Sequence, residues 1–240
     1  MDATPHWSQR THLLYGEERA ARIAAAHVLV VGTGGVGAYA AEMLCRAGVG
    51  RLTLLDADEV SPTNINRQLP ALHSTIGRPK VEVLAERFLD INPAVKLCVR
   101  REYLAAEEAE ALLDAEAYSF VIDAIDTISP KVSLLAAALR RRQPIVSSMG
   151  AGAKTDITQI RFADVWDTYH CGLSKSVRSG LVRAGLKGRK LPVVFCAQQA
   201  DRAALLTVEN ERNKKTTTGT VSYMPATFGC FLAQYVLERL

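Results

Sequence analysis

The chain predicts an α/β fold: a doubly wound, mostly parallel sheet, continued by antiparallel strands and closed by a C-terminal helix. Three observations carry this. Short, wholly apolar runs such as HVLVVG, RLTLLD and SFVIDAID alternate with segments of helical spacing through the first two-thirds of the chain. Strands without polar alternation are covered on both faces, as in a parallel sheet flanked by helices. Glycines follow Val31, and acids follow Leu55 and Ile122. Doubly wound sheets bind ligands beyond the carboxyl ends of their strands, where strand order reverses.

The elements follow in order. GEERAARIAAA predicts a helix and HVLVVG the first strand. GVGAYAAEMLCRAG returns to helical spacing, with Gly48 as its stop. RLTLLD is the second strand. PKVEVLAERFLDINP is a helix opened by Pro79, with Val81, Leu84, Phe88 and Ile91 on one face. VKLCVRREYL suits a strand, AAEEAEALL a helix and SFVIDAID a buried strand. PKVSLLAAALRRR is a helix with Pro130 in its first turn, and QPIVSSMG another strand. After Ala151 the pattern changes. ITQIRFADV predicts a strand antiparallel to some neighbours, and the stretch from Trp166 to Lys190 is polar and basic. PVVFCAQ returns to strand character. Residues 201–219, containing the weak structure former ENERNKKTTTG, predict a mobile excursion, and MPATFGCFLAQYVLERL a largely apolar closing helix. No linker divides the chain. One domain is expected, with residues 1–150 as a nucleotide-binding half and 151–240 as a substrate and crossover half.

A chain of 240 residues can bury a substantial core. Its formal charge of +4 permits a polyanionic partner but is too small to identify a nucleic-acid binder. The N-terminus lacks the pattern of a secretory signal, and no apolar run reaches membrane length. Cys45, Cys98, Cys171, Cys196 and Cys230 are odd in number and widely spaced, which suits neither a disulfide framework nor a zinc site. A reduced cytoplasmic enzyme is expected.

Gly32, Gly34 and Gly37 satisfy GxGxxG between a strand and a helix, and Gly35 adds a further small residue. Such a turn brings backbone N–H groups at a helix N-terminus to a phosphate. It does not separate NAD from ATP. Asp56 ends the second strand where a ribose-binding acid belongs, and Asp58 follows two positions on. Within LLDADEVSPTNINRQ lie Asn64, Asn66, Arg67 and Gln68, with Lys80 beyond. A pyrophosphate bridge can rest on backbone N–H groups. A phosphate under attack by a carboxylate builds charge that fixed cations stabilise, and Arg67 as a fork of donors and Lys80 as a point charge suit that task. Asp126, at the end of VIDAID, is placed to hold Mg²⁺ bridging phosphates, whereas Asp123 suits tying down the loop.

VGTGGVG, LLDADEVSPTNINRQ, GRPKVEVLAERFLDINP and VIDAID, in this order, resemble the ubiquitin-activating-like superfamily of adenylating enzymes. The leader SQRTHLLYGEE, GAGAKTDITQIRFADV, the basic stretch, PVVFCAQ and the chain's ending extend the resemblance to the tRNA threonylcarbamoyladenosine dehydratases of that superfamily. The resemblance implies a Rossmann-like fold, a homodimer, ATP and Mg²⁺, with a sulfur-relay protein as a further partner. It assigns nucleotide contacts to Gly32, Gly34, Gly35, Gly37, Asp56, Asn64, Arg67, Lys80 and Asp126, and makes Arg10 an arginine that reaches the partner's phosphates. Lys175, Arg178, Arg183, Lys187, Arg189 and Lys190 would meet the tRNA backbone. Three departures stand out: no pair of CxxC motifs, no rhodanese-like or ubiquitin-like extension, and no cysteine in an obvious nucleophile setting, Cys171 alone lying in the basic stretch. The leading expectation is ATP-dependent cyclisation of threonylcarbamoyladenosine in tRNA. The alternatives are adenylation of the C-terminus of a sulfur-carrier protein and an NAD(P)-binding oxidoreductase or sensor.

Overall fold

The computed structural model describes residues 6–211 and 214–240. Helix α1 (Gln9–Ala25) leads into β1 (His27–Val31), α2 (Gly37–Ala47) and β2 (Arg51–Leu55). There follow α3 (Lys80–Ile91), β3 (Lys96–Arg100), α4 (Ala109–Asp114), β4 (Phe120–Asp123), α5 (Ile128–Arg141) and β5 (Ile145–Ser148). The second half adds β6 (Ile160–Asp164), α6 (Gly172–Arg183), β7 (Pro192–Cys196), β8 (Leu205–Glu211), β9 (Lys214–Thr218) and α7 (Tyr223–Leu237).

Seven strands form one sheet in the order β3-β2-β1-β4-β5-β7-β6. All pairings are parallel except that of β6 with β7, which closes one edge. This is the doubly wound, mostly parallel arrangement expected, with its antiparallel addition. Strands β1, β4 and β5 are buried along their whole length, which explains their unbroken apolar sequences. Edge strand β3 is only partly covered and reads KLCVR accordingly. One core layer gathers Leu44, Phe88 and Phe228 beneath α2, α3 and α7. The other gathers Leu112, Leu134 and Leu181 beneath α4, α5 and α6.

Three local expectations change. The first helix begins at Gln9, ahead of GEERAARIAAA, and breaks its geometry at Gly16, where φ is 76°. AAEEAEALL divides into a 3₁₀ turn over Ala106–Glu108 and the short α4. Residues 201–219 hold a β8–β9 hairpin with an irregularity between Thr207 and Glu211, while residues 212 and 213 lie outside the described residues. The β-branched run Thr216–Thr218 suits a strand, a preference outweighed in the reading by the polar ENERNKK.

Register sets the site. Val31 pairs with both Leu55 and Asp123, so the loops leaving β1, β2 and β4 emerge side by side where strand order reverses. Beneath them Asp123 and Lys131 form an ion pair at 2.7 Å, with neither side chain exposed at all. Ser147 Oγ donates to the same carboxylate at 2.6 Å and Ile125 N at 3.1 Å, while Lys131 Nζ donates to Ile125 O at 3.0 Å. A buried pair adds little over well-packed apolar side chains, but losing one partner strands a charge. Lys131→Met should therefore cost about 3–5 kcal/mol, lowering the melting temperature by roughly 10 °C, whereas Asp123→Asn with Lys131→Met should recover most of that. Thermal denaturation of the single and double variants decides; an unaffected single variant would refute the pair's role.

Candidate active site

A cavity of about 570 Å³ opens beyond the carboxyl ends of β1, β2 and β4, within the usual size range of small-molecule sites. Its wall begins with the glycine turn. Gly32 has a φ of 87°, and a Cβ on it would stand 2.8 Å from Ala124 O. A Cβ on Gly37 would lie 1.8 Å from Gly32 O, so Gly37 closes the turn from behind and does not line the cavity. Gly34 does line it, and a methyl there would meet nothing closer than Gln68 Nε2 at 3.6 Å. Gly35 rests on Pro225 at the start of α7, which backs the turn. α7 can lie that close to α2 because residue 229 is a glycine, where a Cβ would fall 2.6 Å from Val36 O.

The acids divide the work of fixing these loops. Asp56 Oδ2 accepts from Thr33 N at 2.6 Å and Thr33 Oγ1 at 3.0 Å, and its Oδ1 accepts from Asp58 N at 2.9 Å. It thus binds the glycine turn to the loop after β2 while lining the cavity, with lone pairs left for a hydroxyl. Asp126 also lines the cavity, beyond the loop that Asp123 anchors.

Lys80 opens α3, whose start is strapped to the 58–60 segment by Lys80 N to Asp58 O at 3.0 Å and Val60 N to Arg78 O at 2.9 Å. Its side chain is 5% exposed, yet its Nζ donates at 2.7 Å to Asp58, whose side chain is 70% exposed. A nearly buried ammonium is thus answered by a carboxylate standing in water at the cavity's edge.

The NINRQ stretch follows a 3₁₀ turn over Pro62–Asn64. Asn64 is buried, its Oδ1 accepting from Ser61 N at 3.1 Å, and its carbonyl accepts from both Arg67 N and Gln68 N. Arg67 Nη1 donates to Thr63 O at 2.8 Å and to Asn66 Oδ1 at 2.9 Å. Asn66 faces another duty: its Nδ2 donates to Thr220 O at 3.0 Å, tying this loop to the segment that enters α7. Gln68 Oε1 is buried without a hydrogen-bond partner among the described residues. Such an orphaned acceptor, beside a glycine turn and two cations, fits a ligand that carries donors. Gly32, Gly34, Gly35, Asp56, Asp58, Asn64, Arg67, Gln68, Lys80 and Asp126 therefore share one cavity.

Five carboxylates line it against two cations. Glu59 and Glu102 are already answered by Arg101 and Arg100. Among the described residues no group of three or more His, Cys, Asp or Glu could hold a metal.

The sequence reading missed the loop after β3. Glu102, Tyr103 and Leu104 line the cavity, and the exposed ring of Tyr103 gives it an aromatic wall. β3 ends at Arg100, short of the strand expected over VKLCVRREYL, and this leaves REYL past a strand's carboxyl end. Arg10 is exposed at the start of α1 and does not line the cavity of its own chain. Lys175, Arg183, Lys187, Arg189 and Lys190 are exposed on α6 and after it. Arg178 is not available in the same way, because its Nη1 donates to Val165 O, Thr168 O and Thr168 Oγ1 and staples the 165–168 turn to α6. Cys171 caps α6, its sulfur accepting from Gly150 N and Ser174 N. Near it, burial pushes the pKa of Lys154 down, with Cys171 and Cys196 opposing the shift, and Lys154 Nζ donates to Cys196 O at 2.6 Å.

Known proteins resemble this chain over most of its length. The chain is 42% identical over 190 residues to the tRNA threonylcarbamoyladenosine dehydratase of Bacillus subtilis (strain 168), covering 79% of this chain and 74% of that one. It is 35% identical over 253 aligned positions to the enzyme of that name from Escherichia coli (strain K12), covering 98% and 94%. The fold superposes with a TM-score of 0.87 on a crystal structure of E. coli tRNA N6-threonylcarbamoyladenosine dehydratase in complex with ATP, at 34% identity over 100% of this chain and 95% of that one. The ThiF family model matches residues 8–240, from the leader through the glycine turn to the closing helix, and the chain belongs to the ThiF family.

Proposed function

We propose that this protein is an ATP-dependent tRNA threonylcarbamoyladenosine dehydratase, closing the modified base into a ring through a carboxyl adenylate. The observation that carries it is the buried Lys80 ammonium, which opens with Arg67 onto the cavity of the glycine turn. A nicotinamide dinucleotide needs no such cations beside its phosphates. A protein C-terminus could be activated by the same chemistry, but the chain lacks CxxC pairs and no cysteine lines the cavity. The relatives that match almost end to end carry the tRNA enzyme's name.

The chemistry runs in two steps. A carboxylate oxygen of the substrate attacks the α-phosphorus of ATP, the bond to the β-phosphate oxygen breaks, and pyrophosphate leaves with the electron pair. A group of the same nucleoside then attacks the activated carboxyl carbon and expels AMP, losing its proton to solvent. One carboxylate oxygen departs on AMP, so the nucleoside loses the elements of water. The glycine turn and the N-terminus of α2 receive the phosphates. Arg67, Lys80 and the amide N–H groups of Asn64 and Gln68 orient the phosphate oxygens and stabilise the charge they gain. Asp56 holds the ribose. Asp126 would hold Mg²⁺, which would supply positive charge to the phosphates when bound.

Arg10 acts in the neighbouring subunit's cavity. Support comes from α1, where Leu13 and Leu14 are about four-fifths exposed and Trp7 lies nearby, an apolar surface that suits cover by a second copy. A cytoplasmic location accompanies this reading.

Mass spectrometry of tRNA nucleosides after incubation with enzyme, ATP and Mg²⁺ tests the reaction: threonylcarbamoyladenosine should lose one water, and an unchanged nucleoside rejects the assignment. Arg67→Ala and Lys80→Met should each slow that conversion about 100- to 1,000-fold with the melting temperature kept. Gly34→Ala should fold normally and raise the KM for ATP about tenfold, because its methyl enters the cavity. Gly37→Ala should fail to fold, because its methyl enters Gly32 O. Mixing Arg10→Ala and Lys80→Met subunits should restore activity that neither has alone, since the mixed dimer rebuilds one complete site; no recovery places Arg10 outside the partner's cavity.

A further inference from the structure

A second cavity, of about 520 Å³, lies at the opposite end of the sheet, among the amino ends of β4, β5 and β7. Phe120, the turn from Arg142 to Ile145, the segment entering β7 and the last turns of α7 enclose it. Arg142, Arg189, Lys190 and Arg239 line it, and no Asp or Glu does. All four are exposed. None of them forms an ion pair among the described residues.

Neighbouring arginines at the same end of α5 and elsewhere on the sheet are balanced by acids. Arg140 and Arg141, immediately before Arg142, are paired with Glu110 and Asp114. Arg100 and Arg101 pair with Glu102 and Glu59, and Arg19 with Glu238. One cation at the carboxyl end of α5 is explained by the helix dipole. Four around one hollow exceed that need, and their mutual repulsion is relieved by an anion.

Their supports are fixed. Arg142 caps α5 in the left-handed conformation, with φ at 56°, a position that usually takes glycine. Arg239 stacks on the Tyr235 ring, 3.5 Å from its centroid, and its Nη1 donates to Tyr235 O at 3.0 Å. Arg189 O accepts from Trp166 Nε1 at 2.8 Å, which holds that segment against the turn before α6.

The ligand class follows from the layout. A small phosphate or pyrophosphate site gathers buried donors on one point, whereas these cations ring an open hollow. Lys187 and Arg183, shortly before Arg189 in the chain, are exposed as well. Several exposed, unpaired cations spread over an open hollow suit successive phosphates of a polynucleotide. We infer that this hollow grips the phosphodiester backbone of the RNA substrate at a point distant from the base being modified. The strands separate it from the adenylation cavity by roughly 13–17 Å, at about 3.3 Å per residue, a span that a folded tRNA bridges easily. The inference rests on the tRNA reading of the adenylation site.

Binding of full-length tRNA by fluorescence anisotropy over a salt series tests it, with the double variant Arg142→Gln/Arg239→Gln and its lysine counterpart. The glutamine variant should bind about tenfold more weakly and lose about two from the slope of log K against log salt, with kcat and the KM for ATP unchanged. The lysine variant should retain affinity, which a purely structural role for these arginines would not produce. Unchanged affinity and slope in the glutamine variant overturn the inference. So does saturable binding of inorganic pyrophosphate that the glutamine change abolishes while tRNA affinity stays intact, since that marks a small-anion site. If the wild-type enzyme leaves threonylcarbamoyladenosine unaltered while the glutamine variant still loses tRNA affinity, the proposed reaction falls and the RNA grip stands.

Discussion

A carboxylate and an ammonium, both sealed from water, meet at the carboxyl end of β4, and the geometry of the adenylation cavity descends from that contact. Asp123 and Lys131 fix the turn from Ala124 to Asp126 through Ile125, whose N–H and carbonyl each bond to one of them. Ala124 O in turn leaves no room for a side chain on Gly32, and Gly32 O leaves none on Gly37. The pair therefore sets the level against which the glycine turn packs. Apolar side chains of the same volume would fill the space, but they would not hold the two backbone groups of Ile125. Specifying the turn is what the ion pair adds.

The two ends of the sheet are electrostatically unlike. At the carboxyl end, acids and bases face one another and are largely matched: Asp58 with Lys80, Glu59 with Arg101, Glu102 with Arg100. At the amino end, Arg142, Arg189, Lys190 and Arg239 stand unmatched. Matched charges near a reacting phosphate confine its orientation, because each cation is held in place before the ligand arrives. Unmatched charges act over longer range and lose strength as salt rises. The first arrangement suits chemistry and the second suits holding a large polyanion, so one modest net charge of +4 conceals two separate tasks.

Much of this was legible in the sequence, and the limits are physical. Strands β1, β2 and β4 announced themselves because a strand covered on both faces has no polar alternation to confuse with a helix or loop. Gly32, Asp56 and Asp126 stand at or near strand ends, where the fold rule points, whereas Arg67 and Lys80, in the loop after β2 and at the start of α3, stood out only through the cations that a phosphate under attack needs. Tyr103 obeys the same rule but follows an edge strand whose mixed sequence hid where it stops. Arg178 looked like its basic neighbours, and only the packing of α6 on the 165–168 turn distinguishes it. The amino-end hollow was beyond reach, since Arg142 and Arg239 lie far apart in sequence and meet only through the α5–β5 turn and the end of α7. The hairpin was missed because strand pairing is a property of two segments, while the reading weighed one polar segment at a time.

The charge at the adenylation cavity carries one more consequence. Besides Glu59 and Glu102, which are set against their arginines, Asp56, Asp58 and Asp126 line the cavity with Arg67 and Lys80. A triphosphate and a substrate carboxylate would bring several negative charges into this balance. Part of the answer is local, because Asp58 stands in water and can yield Lys80 to a phosphate at small cost. Two cations still do not neutralise a triphosphate, and like charges crowded in a partly dry cavity repel strongly. In the proposed reaction that deficit falls to a divalent ion on Asp126 and to Arg10 of a second subunit.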